Sequence, residues 1–341
     1  GQGRLGEGPI TARDQQLQQR VFRVGGLDEH LPRAVVAAGA GVDPETRTMY
    51  GTMIHLIWPV ALAMLWAGPG RAEALVASPS VPALAEGDGW AVALGAAAEY
   101  EAEYDGADDY GLEAEPVVAA QWRRGDDLLF LEGNELGWRG LRAERWLLQT
   151  GLRFEGGRDE DDADELEGLG DTDDELMAMG ELRRGFGPAW RNWLAARFMA
   201  GDGDIGAIGI LAAGHRLAGD TRGDGIEVFA FTTFATSDFI NRDFGVTASQ
   251  SENSGLEETD LDGGFRSVGV TAIGRWSPRE RWQLGVEAGF ERYSNDIADS
   301  PIARDDYEVE VGVTLTWRFG SAVGGRSLAA VAPATRHAAG R

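Results

Sequence analysis

From residue 307 to 319 the chain alternates without a break. Tyr307, Val309, Val311, Val313, Leu315, Trp317 and Phe319 are apolar, and Glu308, Glu310, Gly312, Thr314, Thr316 and Arg318 between them are polar or small. A period of two puts the first set on one face of a β-strand and the second on the other. Trp282, Leu284, Val286, Ala288 and Phe290 repeat the pattern against Gln283, Gly285, Glu287, Gly289 and Glu291. So do Trp146, Leu148, Leu152 and Phe154 against Arg145, Gln149, Arg153 and Glu155, with Thr150 the exception on the apolar face. A soluble antiparallel sandwich also alternates, but three features select a membrane barrel. The alternating runs reach about 11 to 14 residues, enough to cross a bilayer when tilted. Aromatic residues sit at both ends of the apolar faces, as Trp90 and Tyr100, Trp282 and Phe290, or Tyr307 and Phe319, where a membrane barrel carries its girdles. The other faces hold Glu, Arg, Gln, Gly and Thr, which a dry core could not bury without partners and a polar lumen can.

The expected fold is therefore all-β, a transmembrane antiparallel barrel over residues 90–319. Twelve strands are predicted, at 90–101, 112–123, 127–138, 143–155, 174–184, 189–200, 204–218, 225–235, 243–251, 263–276, 280–292 and 307–319, with ten as the alternative. An even number brings both ends of the barrel to the periplasm. The connections from Arg123 to Asp127, Ala200 to Asp204 and Ser277 to Glu280 are short, as periplasmic turns are. Those at Ser251 to Gly264 and Ser294 to Asp306 are long and polar. One connection breaks the rule: counted along these strands, Gly156 to Asp173 falls in the periplasm, yet it is long and carries nine acidic residues, among them Asp159, Asp161, Asp162, Asp171 and Asp173.

Ahead of the barrel, Ile54 to Trp66 is an apolar run of 13 residues followed by Gly68-Pro69-Gly70-Arg71-Ala72. That is too short to span a bilayer as a helix and suits the core of a secretory signal peptide cleaved after Ala72. The predicted organisation is a non-native or mis-started extension over 1–48, a signal peptide over 49–72 with Met49 or Met53 as the start, and a periplasmic segment over 73–89. The barrel follows, and then a disordered tail over 320–341, rich in Ala, Gly and Arg. From residue 73 on there are 50 acidic residues against 24 Arg, and the whole chain has no Lys and no Cys. So strong an acidity excludes sequence-independent nucleic-acid binding, and the lack of Cys excludes disulfides and thiolate metal sites.

Residues that could carry chemistry are few. His215 is the sole histidine between residue 73 and the tail; paired with Asp220 it would form a dyad at a barrel mouth, but a strand histidine on a wet face is ordinarily only solvated. The Asp-rich run 159–174 offers hard oxygen ligands without the spacing of a calcium loop. Gly168 to Gly170 stands among negative charges with no Lys, unlike a phosphate loop. No catalytic residue, metal site or cofactor is expected. The lumen-facing Arg145, Arg153, Glu155, Arg275, Glu287 and Glu291 would either form a salt-bridged plug or line a pore.

Several short motifs give the chain a family likeness. Glu103-Tyr104-Asp105-Gly106-Ala107-Asp108-Asp109-Tyr110 follows the first strand, with Ala102 and Ala107 where the pattern usually has Pro and Ser. Leu166-Glu167-Gly168-Leu169-Gly170-Asp171-Thr172-Asp173-Asp174 lies in the acidic connection. Ser254-Gly255-Leu256, Gly263-Gly264 and Asp299-Ser300-Pro301-Ile302 complete the set. In order and spacing these resemble the MipA/OmpV family of scaffolding-type outer-membrane proteins. The resemblance implies a role in holding peptidoglycan-remodelling enzymes, a murein lytic transglycosylase and a bifunctional synthase, at the outer membrane. The rival reading is a pore for small solutes, favouring cations through its negative charge. The last strand, with Gly312, Leu315, Trp317 and Phe319, looks like the signal read by the barrel-assembly machinery. The contact with a periplasmic partner is expected on the acidic connection, at Asp159, Asp161, Asp162, Leu166, Gly168, Asp171 and Asp173.

Overall fold

The computed structural model describes residues 87–140, 145–202, 205–219 and 224–321. The expected signal peptide with its cleavage after Ala72, the extension 1–48 and residues 322–341 of the tail lie outside them.

Twelve antiparallel strands close into one barrel, each paired with its chain neighbours and the last with the first. They are β1 (Gly89–Ala102), β2 (Tyr110–Arg124), β3 (Asp127–Glu132), β4 (Glu135–Gly140), β5 (Trp146–Glu155), β6 (Glu175–Phe186), β7 (Asn192–Ala200), β8 (Ala207–Gly219), β9 (Gly225–Ala235), β10 (Gly264–Arg279), β11 (Trp282–Tyr293) and β12 (Tyr307–Gly320). Closure runs through the register Leu94 to Trp317 and Ala98 to Val313. Two belts of aromatic side chains face outward. Trp90, Trp146, Trp276, Trp282 and Trp317 ring the end where the barrel begins and ends; Tyr100, Phe198, Phe234, Phe265, Phe290 and Tyr307 ring the other. Trp282 stacks on Trp317 and Phe290 on Tyr307, 6.3 and 5.9 Å between ring centroids. Between the belts Val309, Val311, Val313 and Leu315 stay exposed, the apolar band that a bilayer covers.

The strand number agrees with the sequence-based expectation through two departures that cancel. The expected strand 127–138 is the hairpin β3–β4, turning at Gly133-Asn134, where Gly133 takes a φ of 53°; glycine at the first of two turn residues is a hairpin signal. The expected strand 243–251 is instead part of two helices, α1 (Ser237–Phe244) and α2 (Ala248–Ser254). Its apparent alternation comes from Phe244 and Val246, both buried, around a single bridge from Val246 to Thr259. Thr247 then starts α2 with a capping box, its side chain accepting from the Gln250 N–H and its own N–H donating to the Gln250 side chain at 2.9 Å.

The extra hairpin reverses every later strand up to β9, and this moves the acidic connection. Residues 156–174 lie at the end opposite the barrel's two termini, with the β1–β2, β9–β10 and β11–β12 connections. The connections at that end hold 27 acidic residues against three Arg. The turns at the terminal end are short and hold five of each sign. Short turns face the periplasm in this class of barrel, so the periplasmic placement expected for Gly156 to Asp173 is corrected to the outer face.

Candidate functional site

The short motifs singled out in the sequence meet at the loop end and build a cap over the lumen. Leu166 and Leu169 are buried in one cluster with Tyr104, Ala107, Val246 and Ile302. Within the acidic connection the Glu160 carboxylate accepts from the Gly168 and Gly170 N–H groups at 3.1 and 3.0 Å, and the Asp171 carboxylate from the Glu160 N–H at 3.0 Å. Gly168 has a φ of 86°, and a Cβ there would come within 2.9 Å of the Asn253 and Ser254 backbone, so only glycine lets this connection rest on α2. The Gln250 side chain donates to Leu169 O at 2.7 Å, Arg158 to Asp243 O at 2.8 Å and Arg242 to Gly156 O at 2.8 Å. Tyr104 donates its hydroxyl to Ile302 O, and Ser300 its own to Phe244 O at 2.6 Å. Burial, with the charge of Glu165 adding to it, pushes the Tyr104 hydroxyl up to about 12, so it stays a neutral donor. Asp161 and Asp173 lie in the same connection as these contacts.

Below the cap the two sides of the lumen differ. On β3 to β7 charge is paired. The Glu135 carboxylate accepts from Arg197 at 2.6 Å and Arg153 at 3.4 Å; Arg197 also reaches Glu181 at 3.0 Å and Arg153 reaches Glu155 at 2.9 Å. Arg183 binds Glu181, Arg139 binds Glu132 at 3.2 Å, and Gln121 donates to Glu132. Large apolar side chains pack beside this network: Met177 and Met199, Ile208 and Ile210, Phe229 and Phe231, with Phe239, Ile240 and Phe244 of α1 closing the loop end. The salt-bridged plug is thus present, carried by Arg153 and Glu155 among the residues expected, and by Glu135, Glu181, Arg183 and Arg197, which periodicity alone did not mark. Arg145 is exposed at the terminal end.

On β1, β2, β11 and β12 the charged residues that face inward are mostly acidic: Glu99, Glu101, Glu113, Glu115, Glu287, Glu291, Glu308 and Glu310. The main cation among them comes from a bulge. The β9–β10 register slips between Phe265 and Ser267, which turns Arg266 inward. Arg266 meets Asp105 at 2.5 Å and Glu291 at 2.9 Å, with its guanidinium 5.1 Å from the Tyr293 ring.

The wall itself has a notch. Only Ala119 to Arg124 of β2 pairs with β3, so Tyr110 to Val118 is a sheet edge. Pro116, which cannot donate to a ladder, sits in that edge, and a strand proline is the sequence signal that would have found it. A cavity of about 130 Å³ lies between cap, notch and acidic wall, lined by Glu101, Asn134, Arg153, Asp243, Gly289 and Glu310 among others. Among the described residues no group of His, Asp and Glu is arranged to hold a metal ion. His215 shares a hydrogen bond of 2.7 Å with Asn192 on β7, and Asp220 lies outside the described residues. Of the expected assembly signal, Leu315 and Trp317 face lipid, Phe319 packs edge-on to Trp90 at 6.2 Å, and Gly312 lies beneath Glu99.

Among solved structures the chain is similar to outer-membrane barrels of low sequence identity. An outer-membrane channel from Pseudomonas putida F1 is 13% identical, with a TM-score of 0.37, covering 72% of this chain and 100% of that one. The toluene transporter TodX of Pseudomonas putida is 8% identical at a TM-score of 0.33, with 74% and 95% covered. A FadL homologue of Pseudomonas aeruginosa is 9% identical at 0.34, with 74% and 96% covered. At these levels nothing about cargo passes to this chain. No curated protein matches the sequence. The family model described as MltA-interacting protein MipA matches residues 94–319, from the first strand to the last aromatic of β12. With a closed barrel, two aromatic belts and the family's motifs joined in one cap, the chain belongs to the MipA family of outer-membrane β-barrels.

Proposed function

We propose that this barrel is a scaffold, holding a murein lytic transglycosylase and, with it, a peptidoglycan synthase against the inner face of the outer membrane. The family description names an interaction with MltA. The observation that carries the reading is the filled interior. Paired arginines and glutamates on β3 to β7, the Met, Ile and Phe side chains beside them, and α1 above occupy the lumen that a general pore would leave open.

The partner contact belongs on the terminal end, because a periplasmic enzyme meets the short turns there, such as 187–191 with Arg191 and 280–281 with Arg281. The acidic connection with Asp159, Asp161, Asp162, Leu166, Gly168, Asp171 and Asp173 is not offered as that contact, since the connection lies at the other end of the barrel. Photo-crosslinkers placed at Arg191 and Arg281 should give adducts with a murein transglycosylase in cells, and crosslinkers at Asp161 and Glu165 should give none. Adducts from the cap alone would refute the placement. Steady ohmic currents in planar bilayers would favour the rival small-solute pore, and a silent, folded barrel the scaffold.

A further inference from the structure

The acidic wall holds a buried carboxylate oxygen that nothing in the fold satisfies. Glu101 is 5% exposed, its side chain lines the cavity under the cap, and its Oε2 has no hydrogen-bond partner. The charges acting on it come from Glu99, Glu113, Glu115 and Asp105, all acidic. Those acting on Glu310, across the β1–β12 seam, are acidic too. A buried acceptor without a donor is costly, and here the residue that carries it lines a cavity.

None of the arginines lining that space donates to Glu101 Oε2: each is engaged elsewhere, although the Nε–H groups of Arg158 and Arg266 are themselves without partners. Arg266 is taken by Asp105 and Glu291, and Arg153 by Glu135 and Glu155. Arg158 and Arg242 donate to backbone carbonyls of the cap. Carboxylates in the lining still outnumber arginines, seven to four. Phe231 adds an aromatic side chain, and a ring face beside carboxylates is the chemistry that receives an organic ammonium. Gly289, opposite Glu310, keeps the space open: a Cβ there would stand 3.6 Å from Glu310 Cβ and 3.7 Å from Thr271 Oγ1.

We propose that this cavity binds one small organic cation bearing ammonium or guanidinium N–H donors, which bridges Glu101 and Glu310 beneath the cap. The site is independent of the scaffolding role, since it lies toward the outer face and needs no periplasmic partner.

The test is calorimetric titration of the folded full-length barrel in detergent micelles with butane-1,4-diamine and, separately, guanidinium chloride. Magnesium chloride and sodium chloride of equal ionic strength serve as comparators. Wild-type protein should show saturable binding of one organic cation per barrel, over a salt-sensitive background from the exposed loop carboxylates that magnesium shares. E101Q with E310Q should weaken the saturable phase about tenfold for each carboxylate removed, with the background unchanged. Gly289→Val, which fills the space and keeps every carboxylate, should abolish it and serves as the second variant if the glutamine pair fails to fold. Three results would overturn the proposal: no saturable phase in the wild type, equal binding by folded variants, or magnesium displacing the diamine at matched concentration, which would make the site one for metal.

Discussion

The two walls of the lumen handle buried charge in opposite ways. On β3 to β7 the carboxylates of Glu132, Glu135, Glu155 and Glu181 each meet a guanidinium, and Glu135 and Glu181 each serve two. On β1, β2, β11 and β12 glutamates face one another across strands, as Glu99 faces Glu113 in the β1–β2 register. The paired wall stands against packed methionine, isoleucine and phenylalanine, where an unpaired ion would be prohibitive. The acidic wall stands beside the cavity and the notch, where solvent or a solute can reach it. Charge composition thus tracks the local dielectric: one wall is a plug and the other borders a site.

The strongest way to break this comparison is to remove one carboxylate from each wall. Glu135→Ala takes the shared carboxylate from the buried Arg153 and Arg197, leaving Glu155 to the first and Glu181 to the second, and should cost about 3 kcal/mol in a urea unfolding titration followed by tryptophan fluorescence. Glu115→Gln on the acidic wall should fall within roughly 0.5 kcal/mol of wild type or stabilise it. Similar losses from both would mean that the walls are energetically alike. Next in size is an arginine scan of β12. Val313 faces lipid near mid-strand, so Val313→Arg should cost about 2 to 4 kcal/mol. Thr314, paired with Ala97 and Gly285, faces the acidic wall, so Thr314→Arg should cost far less. Equal costs would place Thr314 in an apolar environment and remove the distinction between lumen and lipid at that level.

Much of this was legible in the sequence because a membrane barrel writes its two faces into alternate residues. The runs ending at Phe290 and Phe319 gave strands, faces and belts directly. What misled was local. Leu128 to Trp138 keeps an apolar pattern through a two-residue turn, so periodicity alone runs one strand through Gly133-Asn134. Asp243 to Ser251 alternates by accident of cap packing, although Thr247 and Gln250 spell a helix start. One missed turn was enough to send the acidic connection to the wrong side of the membrane. The pairing of Arg197 with Glu135, 62 residues apart, and the bulge that aims Arg266 follow from closure and register, which no local pattern reports.

A smaller effect concerns the cap that spans both walls. Gly168→Ala introduces a Cβ against the α2 backbone at a left-handed φ, a strain of about 1 to 2 kcal/mol confined to this contact. It should leave barrel unfolding unchanged and raise the rate of protease cleavage between Asp159 and Asp174. If cleavage stayed at the wild-type rate, the acidic connection would not depend on α2 for its position.

The smallest effect tests where the acidic wall meets that cap. Burial and then the neighbouring charge of Asp105 raise the Asp243 carboxyl to about 6 from an ordinary 3.8, against the opposing pull of Arg242, Arg266 and Arg158. A group whose folded value lies above its unfolded one binds its proton more tightly in the folded state. The stability it contributes is full below about 3.8 and is lost as pH rises through about 6. Cap protection against protease should therefore fall between about pH 3.8 and pH 6 and level off above that, with a slope of at most roughly 1.4 kcal/mol per pH unit from this one proton. Asp243→Asn removes the titrating group and leaves the backbone carbonyl that accepts from Arg158. It should flatten this part of the pH profile and leave the cap at high pH at least as protected as wild type at low pH. A profile unchanged by Asp243→Asn would assign the dependence to other carboxylates of the cap and separate Asp243 from the acidic wall.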